Sequence, residues 1–310
     1  MGRVLVTGAS GFVGRAAVLA LARRGYEVHG VARTPKDDIA VHAWHTIDVL
    51  DPASVATLVR EAEASHLLHL AWATDHGRFW SDRANLAWAR ATLFLSEAFV
   101  ETGGIRAVIS GSCAQYSWDR ADLGTSGLAT EAETARRPAT LYGCAKQATS
   151  ELLESWAAEV GLSYATGLVF FPYGPFEKPD RLVPSVARSL LAGEPAEVGP
   201  GTQVRDFIHI DDCGEALAAL VDSEVAGAVN IGSGEGSSIT EVATTIARAL
   251  GREDLLRIGA RPAPDEAPRV IADVARLRDE VGVTPKYELG SGIEATVKWW
   301  SAHAAQIAPR

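Results

Sequence analysis

An α/β fold is what this chain of 310 residues predicts: a doubly wound parallel sheet with a smaller, mixed C-terminal lobe. Two observations predict it. Strand-like and helix-like segments alternate through the first half, and such alternation builds parallel βαβ units. The first strand-like run, Val4-Leu5-Val6-Thr7, feeds Gly8-Ala9-Ser10-Gly11-Phe12-Val13-Gly14, a glycine turn with the spacing G-x-x-G-x-x-G. A turn of that kind lets backbone N–H groups approach a pyrophosphate at the N-terminus of the next helix.

The elements follow in order. Residues 3–7 form an apolar run, and 12–24 carry helical periodicity that ends at Gly25. Residues 27–32 read as the second strand. Residues 51–64 read as a helix opened by Asp51-Pro52, since proline is favoured at the first helical position. Strands are expected at 66–71, 107–111 and 163–170, and helices at 85–102, closed by Gly103-Gly104, and at 141–160. After Pro172 proline and glycine become frequent up to residue 201, and helical periodicity returns at 183–191, 212–221, 240–250, 274–281 and 293–300. The expected organisation is a dinucleotide-binding Rossmann-type domain over 1–170, its sheet completed by about 203–232. Residues 171–202 and 233–310 are expected to form the substrate lobe. Neither repeats nor low-complexity segments are visible.

Composition bounds the class. A chain 47% hydrophobic and 22% charged is ordinary for one large or two coupled soluble domains. The net charge of −10 argues against a general affinity for nucleic acid or anionic membrane. Three cysteines, Cys113, Cys144 and Cys213, form no C-x-x-C pair, as expected in a reducing compartment. No apolar run nears the ~20 residues a membrane helix needs. The chain enters a strand almost at once, so no signal peptide is expected, and a cytoplasmic location is. The histidines show no metal-ligand spacing, so no metal is expected, and His209 reads as structural. No G-x-S-x-G elbow points to acyl transfer.

Gly8, Gly11 and Gly14 have separable jobs: tight turn, close phosphate approach and helix–strand packing. Ser10, Phe12 and Val13 complete the turn over the pyrophosphate. The end of the second strand decides the cofactor. NAD sites usually place an acid there for the ribose 2′-OH. Here the sequence is Gly30-Val31-Ala32-Arg33-Thr34, without an acid. An arginine suits a 2′-phosphate through a bidentate charge-assisted pair, so NADP(H) is expected, with NAD(H) the alternative. The other reading of Arg33 is a solvated side chain stacked on adenine. Asp48 and Val49 are placed to meet the adenine edge. Leu70-Ala71-Trp72 and Phe170, each at a strand end, are placed at the nicotinamide half.

Tyr142 and Lys146 are four apart, so both lie on one helical face. A free phenol has a pKa of about 10 and is a poor base at neutral pH. A neighbouring ammonium favours the phenolate, so the pair is expected to exchange a proton with a carbonyl or carbinol oxygen. Lys146 also has the reach to hold cofactor ribose hydroxyls, and Ser112 to orient the same substrate oxygen. Catalytic roles are therefore expected for Ser112, Tyr142 and Lys146. Trp72, Trp80 and Trp88 are candidates to line a substrate pocket, with Trp88 reading more as a core or dimer residue.

These residues, with Ser110-Gly111-Ser112-Cys113-Ala114-Gln115-Tyr116, the run from Pro138 to Lys146, Phe171-Pro172-Tyr173-Gly174-Pro175 and Val204-Arg205-Asp206-Phe207-Ile208-His209-Ile210-Asp211-Asp212, give the chain a family likeness over nearly its whole length. It resembles the extended short-chain dehydrogenase/reductases of the nucleotide-sugar epimerase/dehydratase/reductase group. The resemblance implies that Arg205 contacts the substrate diphosphate, unless Asp206 or Asp211 fixes it instead. It also implies a homodimer through the helices at 85–102 and 141–160, which are apolar on more than one face. Where the family has Asn-x-Tyr-Gly-Pro, this chain has Phe171. Arg181, in the same loop, is expected to compensate at the substrate phosphates. Glu266, with Asp265 competing, falls where the family's C-terminal lobe lines the nucleotide or sugar pocket.

The departures choose among reactions. The 4,6-dehydratases of this group carry Thr-Asp-Glu where this chain has Ser112-Cys113-Ala114, which disfavours dehydration. Epimerase-reductases of the GDP-fucose synthase type use a cysteine and a histidine at positions that here hold Ala114 and Arg181. Hydride chemistry at one carbon remains. The expectation is reduction of a 4-keto-6-deoxy nucleotide sugar by NADPH. The alternatives are a 4-epimerase with tightly bound cofactor and a non-catalytic NADP-binding sensor.

Overall fold

In a computed structural model, residues 2–262 and 267–303 are described. The chain runs β1 (Arg3–Thr7), α1 (Phe12–Arg23), β2 (Glu27–Ala32), β3 (Ala43–Thr46), α2 (Pro52–Ala62), β4 (His66–His69), α3 (Ala84–Glu101) and β5 (Arg106–Ser112). A 3₁₀ turn at Cys113–Gln115 leads to α4 (Arg120–Leu123), β6 (Leu128–Ala129), α5 (Leu141–Val160), β7 (Ser163–Val169) and β8 (Phe171–Tyr173). Then come α6 (Leu182–Leu191), β9 (Ala196–Val198), β10 (Val204–His209), α7 (Ile210–Val221), β11 (Gly227–Ile231) and β12 (Gly236–Ser238). The chain closes with α8 (Ile239–Leu250), β13 (Leu256–Ile258), β14 (Arg269–Ala272), α9 (Ala275–Asp279) and α10 (Leu289–His303).

Seven parallel strands form the main sheet in the order β11-β7-β5-β4-β1-β2-β3. Strands buried on both faces read as continuous apolar runs, and β1 shows why. Val4 and Val6 pack under α1 and α7 with Leu21, Leu217 and Leu220. Leu5, between them, points to the other face and packs with Leu58, Leu95, Phe99 and Leu153 from α2, α3 and α5. The strand order reverses between β1 and β4, and the crevice outside their carboxyl ends is where this architecture binds ligands.

A second, mixed sheet takes β12, β10, β14 and β6, with β8 added to β10. Here β12 runs antiparallel to β10, while β14 and β8 run parallel to it. Of the stretch expected to complete the main sheet, β11 does so, but β10 does not. Its partners β8, β12 and β14 all lie in the second sheet. A separate core of Val183, Val186, Leu190, Val242, Ile246, Ile293 and Val297 joins α6, α8 and α10 beside it. Among the described residues no helix is long and apolar enough to cross a membrane.

Candidate active site

The glycine turn closes as its spacing predicts. Gly8 leaves β1 with φ +70° and donates to the Val31 carbonyl at 3.1 Å, while Gly11 donates back to the Gly8 carbonyl at 2.9 Å. Gly11 caps α1 with extended backbone and no side-chain hydrogen bond, so the first N–H groups of the helix face outward. A Cβ at Gly14 would lie 2.1 Å from the Gly8 carbonyl oxygen, and one at Gly8 would lie 2.9 Å from the Ala71 nitrogen. Both positions therefore require glycine if helix, turn and the end of β4 are to meet. This cradle fits the diphosphate of a dinucleotide.

A buried polar chain that the sequence did not reveal fixes the neighbouring crest. Thr7 Oγ1 lies 2.7 Å from His69 Nδ1, and His69 Nε2 lies 2.9 Å from Thr92 Oγ1. Burial, with Lys146 adding to it, drives the His69 imidazole down to about 3, so it stays neutral. Thr7 Oγ1 also accepts from the Leu70 and Ala71 nitrogens at 3.2 and 3.3 Å. The Leu70-Ala71-Trp72 segment is thus held against the glycine turn.

Arg33 is exposed just beyond β2, and its charge is felt by Asp75. Asp48 is exposed and accepts from the Leu50 nitrogen at 3.0 Å, while Val49 is buried beneath it. Arg15, immediately after Gly14, pairs with Asp38 at 2.8 Å and lies 4.0 Å over the Phe176 ring. Sequence reasoning missed this second arginine beside the turn.

Ser112 ends β5 and caps the 3₁₀ turn, accepting from the Ala114 nitrogen, while Gln115 reaches back to the Ser112 nitrogen. Thr140 caps α5 through the Gly143 nitrogen, which sets the first turn of that helix and so Tyr142. Ser112 acts on the Tyr142 phenol, opposing the rise that burial imposes on its pKa. Around the phenol stand Phe79, Trp80 and Trp72, edge-on at 4.9, 5.8 and 6.3 Å. The Trp80 carbonyl also accepts the Tyr142 backbone N–H at 3.1 Å. Trp88 stacks 6.3 Å behind Trp72 and packs into the core.

One expectation fails here, that Lys146 draws the Tyr142 pKa down. Burial instead pushes the phenol up to about 12, with Ser112 and Arg181 opposing and Lys146 absent from the acting groups. The reason is where the ammonium goes: Lys146 Nζ donates to the Ser110 carbonyl at 2.6 Å and sits 4.1 Å over the Trp72 ring. Burial lowers its own pKa to about 7.

The loop after β8 brings in the remaining groups. Arg181 Nη2 donates to the Thr74 carbonyl at 3.4 Å, and its guanidinium lies 5.4 Å from the Phe79 ring centre. It therefore stands beside the aromatic wall of Tyr142. Glu177, in the same loop, buries a carboxylate oxygen without a hydrogen-bond partner, and its burial pushes the acid up to about 8 against the pull of Arg181. Nothing in the sequence marked Glu177.

Arg205 is buried, and Nη1 donates to the Val204 and Ala267 carbonyls at 2.9 and 2.8 Å. Its guanidinium lies 5.6 and 5.8 Å from the Trp118 and Phe171 rings. Phe170 is buried 6.5 Å from Tyr116, and Phe171 packs 6.2 Å from Trp118. Trp118 also lines a cavity of about 140 Å³ together with Leu123, Thr125, Ala267 and Arg269. Glu266 and Asp265 lie outside the described residues.

The chain is 30% identical to a dTDP-glucose 4,6-dehydratase of Xanthomonas campestris pv. campestris, over 96% of this chain and 92% of that one. Among solved structures, MoeE5 in complex with UDP-glucuronic acid and NAD is 30% identical with TM-score 0.83, covering 96% of this chain and 98% of MoeE5. The UDP-glucose 4-epimerase of Thermus thermophilus, in complex with NAD, is 27% identical with TM-score 0.84 and the same coverage. A family model, NAD dependent epimerase/dehydratase, matches residues 4–232, a span that runs from β1 to β11 and so takes in the crevice and its flanking loops. This chain belongs to that family.

Proposed function

We propose that this enzyme is an NADPH-dependent ketoreductase acting on a nucleotide-linked 4-keto-6-deoxy sugar. One observation carries the reading: the Tyr142 phenol packs with Ala114 and Phe79 and feels the pull of Ser112, while Cys113 and Ala114 are buried and carry no carboxylic acid. Such a site can pass a proton to one oxygen but offers no acid–base pair at these positions for removing water. The reduced nicotinamide, when bound, supplies a hydride to the carbonyl carbon. Ser112 holds the carbonyl oxygen, and Tyr142 donates the proton that the new hydroxyl needs. A phenol held above its ordinary pKa starts in the protonated form that this direction uses. Lys146 anchors the ribose end of the cofactor, and Trp72, Phe79 and Trp80 keep water from the reacting oxygen. Arg181 and Arg205 serve the substrate phosphates in this reading, and a homodimer is the working form.

The consumable cofactor rests on Arg33, which occupies the end of β2 without an acid beside it. A nucleotide ketosugar should therefore remove the 340 nm absorbance of NADPH. Arg33→Asp should move the preference from NADPH toward NADH by about tenfold or more, the loss of a charge-assisted phosphate pair. An unchanged preference ratio overturns the cofactor assignment.

A second reading, a 4-epimerase with retained NAD, is favoured by the likeness to the Thermus 4-epimerase and to MoeE5, both seen with NAD. Sugar interconversion without net NADPH loss supports it against the reductase. Neither outcome, across UDP-, dTDP-, GDP- and CDP-sugars, counts against both.

A further inference from the structure

The histidines lack metal-ligand spacing in the sequence, yet the fold gathers three of them at the outer edge of the main sheet. Register places Ala43 opposite His29 and His45 opposite Val31, so His29 and His45 share one face of β2 and β3. Their rings lie 5.1 Å apart, with His29 Nδ1 2.8 Å from His45 Nε2. His42, just before β3, stacks 5.6 Å from His29. Glu27 stands two residues before His29 on the same face. Its Oε1 lies 3.0 Å from His29 Nε2 and 3.5 Å from His42 Nε2. One ligand atom from each of Glu27, His29 and His42 falls within 4.8 Å of the others.

Three features make this more than a polar cluster. Ligand atoms around a tetrahedral ion of the zinc class, with bonds of about 2.0–2.2 Å, stand about 3.3 Å apart. The observed separations of 3.0 and 3.5 Å bracket that spacing. The Nδ1 of His29 is occupied by His45, which directs Nε2 toward Glu27 and His42. Such an outer partner is what fixes the tautomer of a ligating imidazole. Finally the site is open. The His42 side chain is 63% exposed and that of His29 9%, so an ion can enter from solvent and keep water as a fourth ligand. Arg3 also donates to Glu27 Oε1, at 2.8 Å, and Glu61 acts on His45. The Arg3 charge opposes a cation and limits the affinity, while its bond orients the carboxylate.

We propose that Glu27, His29 and His42 bind one divalent cation of the zinc class, with His45 as the outer partner of His29. The site sits at the opposite end of β2 from Arg33. It would pin the edge strand β3 to β2 rather than take part in hydride transfer, and it stands independently of the reaction assigned above.

Tag-free protein, stripped with a chelator, tests this by titration with zinc sulfate at neutral pH in a calorimeter and with cobalt(II) followed by visible absorption. One saturable equivalent per chain, with a zinc-dependent rise in the thermal midpoint, is expected. His42→Ala removes an exposed side chain and should weaken binding by more than about tenfold, as should His29→Gln. His45→Gln should weaken it less. Absence of a saturable equivalent in the native chain overturns the proposal, and so does undiminished affinity in His42→Ala. Should His29→Gln fail to fold, His42→Ala carries the test alone.

Discussion

A phenol enclosed by aromatic rings holds its proton, and Tyr142 is such a phenol. With Phe79, Trp80 and Trp72 edge-on around it, burial outweighs the pull of Ser112 and lifts its pKa to about 12. Tyr142→Phe leaves the aromatic box and the cofactor cradle intact while removing the only proton on that ring oxygen. Turnover should fall about 10²–10⁴-fold, the usual worth of a positioned acid, with the cofactor-induced thermal shift retained. Near-native turnover would show that another group supplies the proton. Glu177 is a second such case, a carboxylic acid that burial keeps neutral. Its pKa rises from 4.5 to about 8, so its contribution to stability is full below about 4.5 and is lost as pH rises through about 8. Glu177→Gln should therefore match the native melting temperature near the acid end of that window and exceed it increasingly toward the alkaline end. A gap that does not change with pH would contradict the assignment. The sequence could single out Tyr142 and Lys146 because their four-residue spacing is local and their chemistry specific. It could not single out Glu177, Phe79 and His69. Which loop covers which side chain is a tertiary outcome, and no neighbour in the sequence announces it.

Among the elements, β10 shows how a short polar sequence holds a lobe together. Asp206, wholly buried, accepts from the Ser233 nitrogen at 2.6 Å, the Ser233 hydroxyl at 2.7 Å, the Gly234 nitrogen at 2.9 Å and the Ala272 nitrogen at 3.1 Å. One carboxylate thereby ties β10 to the turn after β11 and to β14. Burial raises its pKa, and these donors oppose the rise. Asp206→Ala strands the buried Ala272 donor and the part-buried donors of Ser233 and Gly234 at once. Each costs about 1–3 kcal/mol, so a loss of at least about 3 kcal/mol in chemical denaturation is expected, and one below about 1 kcal/mol would be inconsistent with this role. The sequence announced the long elements well: α5 is read at its observed limits, and β1 and β2 as well. It placed β10 in the wrong sheet. Strands of three or four residues such as β8, β9, β12 and β14 carry too little periodicity to declare their partners, and β10 pairs with three of them. The helix expected at 274–281 shrinks to Ala275–Asp279 for a similar reason, since few of its residues reach the core.

At the scale of the whole molecule, α3 and α5 leave an apolar surface that the monomer does not cover. Their inner faces supply Leu95, Phe99, Leu153 and Ala157 to the core under the sheet. Their outer faces leave Leu86 51% and Leu152 57% exposed, with Leu93, Phe94 and Trp156 only partly buried. Exposed apolar surface of this kind on two adjacent helices marks an association site, and a helix pair facing its own copy about a two-fold axis closes without leaving a free face. This surface agrees with the helices having read as apolar on more than one side. Light scattering behind size exclusion should therefore give twice the chain mass. Replacing both Leu86 and Leu152 by Glu places four charges in a closed dimer seam but none in the monomer core. That variant should elute as a folded monomer with unchanged circular dichroism. A native chain that runs as a monomer at micromolar concentration, or a double variant that remains dimeric, would place the association surface elsewhere on the protein.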